Sequence, residues 1–380
     1  MRFGLFVPQG WRLDLVGIDP AKQWEVMRDF TLRAEAGPWE SVWVYDHFHT
    51  VPQPTEEATH EAWTLMAALG ASTSRIRLGQ MCTAMSYRNP AYLAKVAATT
   101  DLITGGRVEM GIGGGWYEQE WRAYGYGFPS AGERLGRLDE GIQIMQQAWS
   151  TGSSTLDGKY YQVDGALCRP LPLQEGGIPI WVAGGGEKVT LKIAAKYAQY
   201  TNFDGTPAGF AHKSEILKKH CDTVGTDFDA IVRSANYNVA IGATESEVAQ
   251  RLETLKARLT PLVGEAAADA SLDAFRGMPA VGTPEQIIEN LSALEAQGLE
   301  YGIFYFPMVR THTTPCSGSR RGITRTVVSL SCPTITNGAR ARTVRPARGA
   351  ALRSRGAHLR RSPAQPRLLR DGATCAGTTR

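Results

Sequence analysis

The chain has 380 residues, enough for one large domain, with 43% hydrophobic residues and nine Trp to fill a core. Its formal charge of +4 averages two unlike parts: residues 311–380 hold fourteen Arg against one acid, Asp371, so that stretch is +13 and residues 1–310 are −9. No run of about 18 apolar residues marks a membrane span, and the start, MRFGLFVPQG, is too briefly apolar for a signal peptide. Cytoplasm is therefore the expected location. The six Cys show no CxxC spacing, so neither a disulfide framework nor a metal site is expected.

Short β-branched runs alternate with longer amphipathic stretches, the pattern of parallel βα units. The first strand is read at Arg2–Val7, and Asp19-Pro20 opens the first helix as N-cap and N1. A second strand at Ser41–Tyr45 ends on Asp46-His47, with a helix over about Glu61–Ser72. The third strand, Ile76–Cys82, precedes a helix from Asn89-Pro90 to Ile103, stopped by Gly105-Gly106. Val108–Ile112 is the fourth strand, running into Gly113-Gly114-Gly115, with a helix at about Glu133–Trp149. Thr151–Gly177 breaks the rhythm and reads as an inserted hairpin. The fifth strand at Ile178–Ala183 meets Gly184-Gly185-Gly186 and a helix at Glu187–Tyr197. Tyr200–Phe203, a helix over Pro207–Val224, a strand at Ile231–Ile241 and a helical region over Ser246–Leu294 follow. That region is interrupted near Gly277–Thr283, and the eighth strand is Tyr301–Phe306.

Eight strands in this order predict an α/β fold, a (β/α)8 TIM-type barrel over residues 1–309, rather than a doubly wound sheet. Chemistry then belongs at the C-terminal strand ends. Those ends carry Asp46-His47, Cys82-Thr83, Gly113 to Glu120, Gly184 to Lys188 and Asn202. Gly184-Gly185-Gly186-Glu187-Lys188 can bring backbone amides and a helix N-terminus to a phosphate, where a tight turn would need fewer glycines. Gly113-Gly114-Gly115-Trp116 is either a second phosphate contact or clearance for a flat ligand. His47 suits a hydrogen bond or proton transfer at the barrel mouth, or else is structural beside a capping Asp46. Cys82 lacks a neighbouring base and reads as an inert buried thiol rather than a nucleophile. Glu118 and Glu120 are either an acid–base pair or helix-capping and solvent-facing groups. His49 and His60 match no helical metal spacing, and no metal is expected.

These pieces resemble the luciferase-like monooxygenase superfamily, within it the branch dependent on coenzyme F420, a deazaflavin. The resemblance is carried by SVWVYDHF, EAWTLMAALGASTSRIRLG, the stretch from YRNPAYLAKV to GIGGGWYEQEWRAYG, RLGRLDEGIQIM, IPIWVAGGGEKVTLKIAAKYAQYTNF, VGTPEQIIENL and YGIFYFP. It implies an oxidoreductase moving a hydride between F420 and a small organic substrate, with FMN-dependent two-component monooxygenation as the alternative. A barrel that binds cofactor without turnover is the third reading. By the resemblance, Asp46 and His47 lie against the deazaflavin, Asp46 fixing His47, and a non-proline cis peptide at Met81-Cys82, or next at Cys82-Thr83, backs the ring. Gly184, Gly185, Gly186, Glu187 and Lys188 hold the phosphate, Asn202 closes the next strand end, and Gly113, Gly114 and Gly115 border the ring. Trp116 stands where sugar-phosphate dehydrogenase relatives carry a catalytic acid, which favours an apolar or aromatic substrate; Glu118 is the other substrate candidate. A homodimer and a separate cofactor reductase are implied as partners, a nucleic acid or membrane is not.

The Arg-rich stretch, residues 310–380, has no Lys and no aromatic residue. It fits a basic nucleic-acid arm, a disordered tail, or an out-of-frame read of GC-rich DNA; the abrupt break just after a strand favours the last. A barrel lacking its closing helix would expose apolar neighbours at roughly 25 cal/mol per Å2.

Overall fold

The computed structural model describes residues 1–307, and these form the expected barrel. The barrel strands are β1 (Arg2–Phe6), β2 (Ser41–Val44), β3 (Arg77–Gln80), β4 (Val108–Gly113), β5 (Ile180–Ala183), β6 (Tyr200–Phe203), β7 (Val232–Asn238) and β8 (Tyr301–Tyr305). All neighbours pair in parallel, β1 joins β8, and β3 joins β4, so the sheet closes. Closure leaves no sheet edge and turns alternate residues inward. The alternation is visible in β2: Val42 and Val44 face the surrounding helices, while Trp43 points into the barrel with Trp181, Tyr301 and Ile303. Trp43 is fully buried, meets Trp181 edge-on at 4.6 Å, and donates its indole N–H to Ser41 Oγ at 2.5 Å.

The helices after β1 and β3 start at the caps expected for them, and others are capped as well. Asp19 accepts from the Ala21 amide at the head of α1 (Pro20–Ala36), and Glu61 caps α2 (Ala62–Ala71) through the Trp63 and Thr64 amides. Asn89 caps α3 (Pro90–Thr104), and Ser130 caps α4 (Ala131–Thr151). The inserted segment is an antiparallel hairpin of Ser153–Asp157 with Gln162–Leu167.

Four expectations need correction. The third strand stops at Gln80 and resumes as the short strand Thr83–Ala84, with the cis Met81-Cys82 peptide between them. The glycine-rich segment after β5 runs as an open loop, so α5 is Thr190–Tyr197 and begins three residues later than the composition suggested. The seventh strand leaves the barrel at Val239: Ala240–Ile241 pairs outside it with Val281–Gly282, framing a side layer. After α6 (Pro207–Val224), that layer resolves the long helical region into α7 (Glu245–Val263), α8 (Glu265–Asp273) and α9 (Pro284–Ala296), the last opened by a Thr283/Gln286 capping box. A short helix at Glu118–Ala123 went unforeseen. The Arg-rich stretch and the closing helix lie outside the described residues.

Replacing Trp43 with Ala removes a fully buried indole from the barrel interior and should cost about 3–5 kcal/mol. Urea unfolding should show a lower midpoint with an unchanged slope; an unaltered midpoint would mean the interior does not depend on this ring.

Candidate functional site

The C-terminal strand ends surround a cavity of about 420 Å3. Of the residues singled out from the sequence, Asp46, His47, Met81, Cys82, Gly113, Gly114, Gly115, Trp116, Gly184 and Asn202 line it. Thr83 is buried just behind, its hydroxyl donating to Gln80 Oε1 at 2.6 Å. Gly185, Gly186, Glu187 and Lys188 continue away from the lining, and the helix turn they lead into has no side-chain cap. Glu187 is occupied by Lys213 at 2.6 Å and His212 at 3.0 Å. Glu118 faces solvent, paired with Arg122 one turn on, and reaches neither the cavity nor His47.

His47 ends a column of rings that rises out of the barrel. Phe6 stacks on Tyr45 at 4.3 Å, Tyr45 lies 4.2 Å from Trp11, and Trp11 stacks on His47 at 4.3 Å with the planes 1° apart. Trp116 meets His47 edge-on at 5.8 Å. The imidazole is therefore held in plane by packing.

Its polar partner is a carboxylate two residues from the substrate candidate. Glu120, fully buried, accepts from His47 Nδ1 at 2.9 Å and the Tyr87 hydroxyl at 3.0 Å through Oε2. Through Oε1 it accepts from the Phe48 and His49 amides at 2.7 and 2.8 Å. Burial alone would raise this carboxyl, but the hydrogen bond and charge of His47 and the two amides outweigh it and hold Glu120 below its ordinary range. An ionised carboxylate only accepts, so Nδ1 carries the proton and Nε2 is the ring nitrogen left for chemistry. Asp46 does not do this work. Its carboxylate takes both Arg88 Nη groups at 2.8 and 2.9 Å and the Ala84 amide at 3.0 Å, tying the end of β2 to the chain just past the cis peptide.

The floor is made by close backbone approach. A Cβ on Gly113 would stand 2.8 Å from Cys82 Sγ, and Gly115, at φ +76°, would place one 2.7 Å from the Trp121 ring. Only glycine fits both. Cys82 itself is chemically quiet, since burial and then the charge of Asp46 push its thiol up to about 12. Asn202 is fixed by Ser234 Oγ and Asn236 Oδ1, each at 3.0 Å. Sequence reading missed Trp11, Arg12, Tyr45, Tyr87, Arg134, Thr190 and Asn236 in this lining. Arg134 sits in the RLGRLDEG stretch, and its guanidinium donates to the Gly115 carbonyl at 3.2 Å. The buried Tyr45 hydroxyl and Trp11 indole N–H have no partner within the described residues. His60 and His49 do not converge: His60 Nε2 meets Gln23, whereas His49 meets Glu120 only through its amide.

A closed parallel barrel with a glycine-floored cavity and a carboxylate-anchored histidine at its C-terminal mouth is the build of a barrel enzyme with its site at that face. The chain belongs to the luciferase-like monooxygenase family, whose sequence model matches residues 1–301. It is 30% identical over 313 residues to an F420-dependent glucose-6-phosphate dehydrogenase of Nocardia farcinica, covering 73% of this chain and 87% of that one. A protein of the same description from Amycolatopsis mediterranei is 34% identical over 173 residues, 45% of this chain and 49% of its own length. The pyrimidine monooxygenase RutA of a Bradyrhizobium strain is 32% identical over 244 residues, 61% of this chain and 66% of its own. In fold, an F420-dependent secondary alcohol dehydrogenase in complex with an F420-acetone adduct superposes with a TM-score of 0.67 at 20% identity, covering 80% of this chain and 93% of that one.

Two measurements check this geometry. Cys82, raised from 9.0 to about 12, has about a thousandfold less thiolate than a free thiol at pH 8. Iodoacetamide should leave it unmodified by mass spectrometry under conditions that alkylate the unfolded chain, and rapid labelling would restore the nucleophile reading. Glu120→Gln should lower stability by about 1–3 kcal/mol at neutral pH. Because the folded carboxyl sits below its ordinary 4.5, this difference is complete above that pH and shrinks as pH falls through the lower folded value. A difference that grows toward acid would contradict the network.

Proposed function

We propose that the chain is an oxidoreductase that uses coenzyme F420 to move a hydride to or from a small organic substrate with an apolar body. The observation that carries this reading is His47, clamped at Nδ1 by buried Glu120 and held in plane by Trp11, beside a cavity floored by Gly113 and the Met81-Cys82 cis peptide. The likeness to the F420-dependent relative of Nocardia farcinica, over 87% of its length, supports the choice of cofactor. The residues present also fit such a group. The cavity has room for a flat ring system, and its lining offers the unpartnered Tyr45 hydroxyl and Trp11 N–H as hydrogen-bond donors. Arg134 stands at the same lining for an anionic part.

The bound deazaflavin supplies the two-electron chemistry. His47 Nε2 gives a proton to, or takes one from, the substrate heteroatom next to the reacting carbon, and Glu120 keeps the ring in that orientation through both steps. Met81, Cys82 and Gly113 to Gly115 would hold the group's ring system, the glycines leaving room for it at the backbone. Gly184, Thr190 and the uncapped start of α5 receive the phosphate, with Lys213, whose Cε lies 3.3 Å from where a Gly185 Cβ would be, as the nearby cation. Trp116, at the position of the catalytic acid in sugar-phosphate dehydrogenase relatives, turns the substrate side of the site apolar.

A second reading, FMN-dependent monooxygenation with reduced flavin from a partner reductase, is favoured by the likeness to the pyrimidine monooxygenase. Spectral titration with each cofactor separates the two. Tight binding of F420 with weak binding of FMN is expected, and His47→Ala should then lower turnover by about 10²–10⁴-fold while the cofactor still binds. Tight FMN binding with no affinity for the deazaflavin would overturn the proposal.

A further inference from the structure

A second cavity, about 400 Å3, adjoins the first and shares Trp11, Arg12 and Trp116 with it. Its far wall comes from the side layer: Leu255 and Leu259 of α7, and Ala274-Phe275 just past α8, with Val51-Pro52 of the β2–α2 loop opposite. The side layer is not needed to close the barrel, since its two-stranded pairing lies outside the main sheet. It has a core of its own in which Leu255, Leu259 and Phe275 are buried, and the cavity is the open margin of that core. Trp116 stands between the two cavities with 62% of its surface exposed, a large apolar ring left in water beside an apolar hollow.

The charges along this cavity are already engaged. Arg12 donates to Asn238 Oδ1 at 2.6 Å and lies over the Tyr305 ring at 4.6 Å. Arg258 donates to the Pro307 carbonyl at 2.6 Å. Buried Asp14 feels the charge of both guanidiniums. The lining thus offers a new ligand mainly aliphatic and aromatic surface, which rewards apolar area at roughly 25 cal/mol per Å2 and does nothing for a phosphate or a sugar.

We infer that this cavity is the specificity pocket for an apolar, ring-bearing substrate body. The reacting carbon lies beside His47 in the first cavity, and Trp116 forms the wall across which the substrate extends. The inference rests on the F420 reading for the reaction, but the pocket itself can be tested without cofactor. The probe is 4-phenyl-3-buten-2-one, with 2-cyclohexenone as its compact counterpart, and binding is read from quenching of tryptophan fluorescence in the cofactor-free protein. Ala274→Phe changes an exposed position at the end of α8 and fills the cavity from its margin; Leu259→Trp fills it from α7. Thermal melts confirm that each variant folds.

The aryl probe should bind the wild type more tightly than cyclohexenone does, and both variants should weaken it tenfold or more. Deazaflavin affinity, read from its own fluorescence, should stay within twofold. In turnover, Ala274→Phe should lower kcat/KM for the aryl enone relative to cyclohexenone by the same factor. Aryl binding that is absent, or that survives both fillings unchanged, overturns the pocket. If the aryl probe binds as described but no deazaflavin does, the cofactor reading falls and the pocket stands.

Discussion

The loops around the barrel mouth are tied together by one buried carboxylate, Glu120. Glu120 joins three separate pieces of chain: the loop after β2 through His47 and two amides, the turn after the cis peptide through Tyr87, and its own short helix after β4. A charge with no exposed surface is tolerated only when its lone pairs are met, and here four donors meet them. The cost of disappointing any of them makes the loop geometry discrete rather than adjustable. His47 is consequently placed by an electrostatic constraint at one nitrogen and by ring packing on its face.

The division of labour between the two acids after β2 and β4 could not be read from the chain. Asp46 is adjacent to His47 in sequence, yet adjacent side chains of an extended segment point apart. Asp46 turns toward Arg88 and the Ala84 amide, while the imidazole finds a partner 73 residues away. Glu118 and Glu120 are equally anonymous as letters in WYEQEW. Two residues along a helix are about 200° apart, so one faces water and the other the interior. Only the packing of Trp121 and Tyr87 decides which.

What was legible was whatever local chemistry dictates. Strand alternation, the Asp19-Pro20 and Asn89-Pro90 caps, and the run of glycine-rich strand ends are properties of short windows, and they place the barrel and most of the cavity. The cis peptide at Met81-Cys82 followed from family resemblance, not from any property of those two residues. The departures came where tertiary pairing overrides local preference. The seventh strand reads as one run to Ile241, but its last residues are drawn off to Val281–Gly282, and the helices between build a wall that no periodicity announces. Arg12 entered the lining through the loop after β1, and Tyr45 through the end of β2.

The coplanar contact of Trp11 with His47 carries a photophysical consequence. A neutral imidazole lying flat on an indole is a weak perturbation, whereas an imidazolium in that position is a cation on an aromatic face and an electron acceptor for the excited ring. A positive charge on this imidazole would therefore be felt first by one particular indole, that of Trp11.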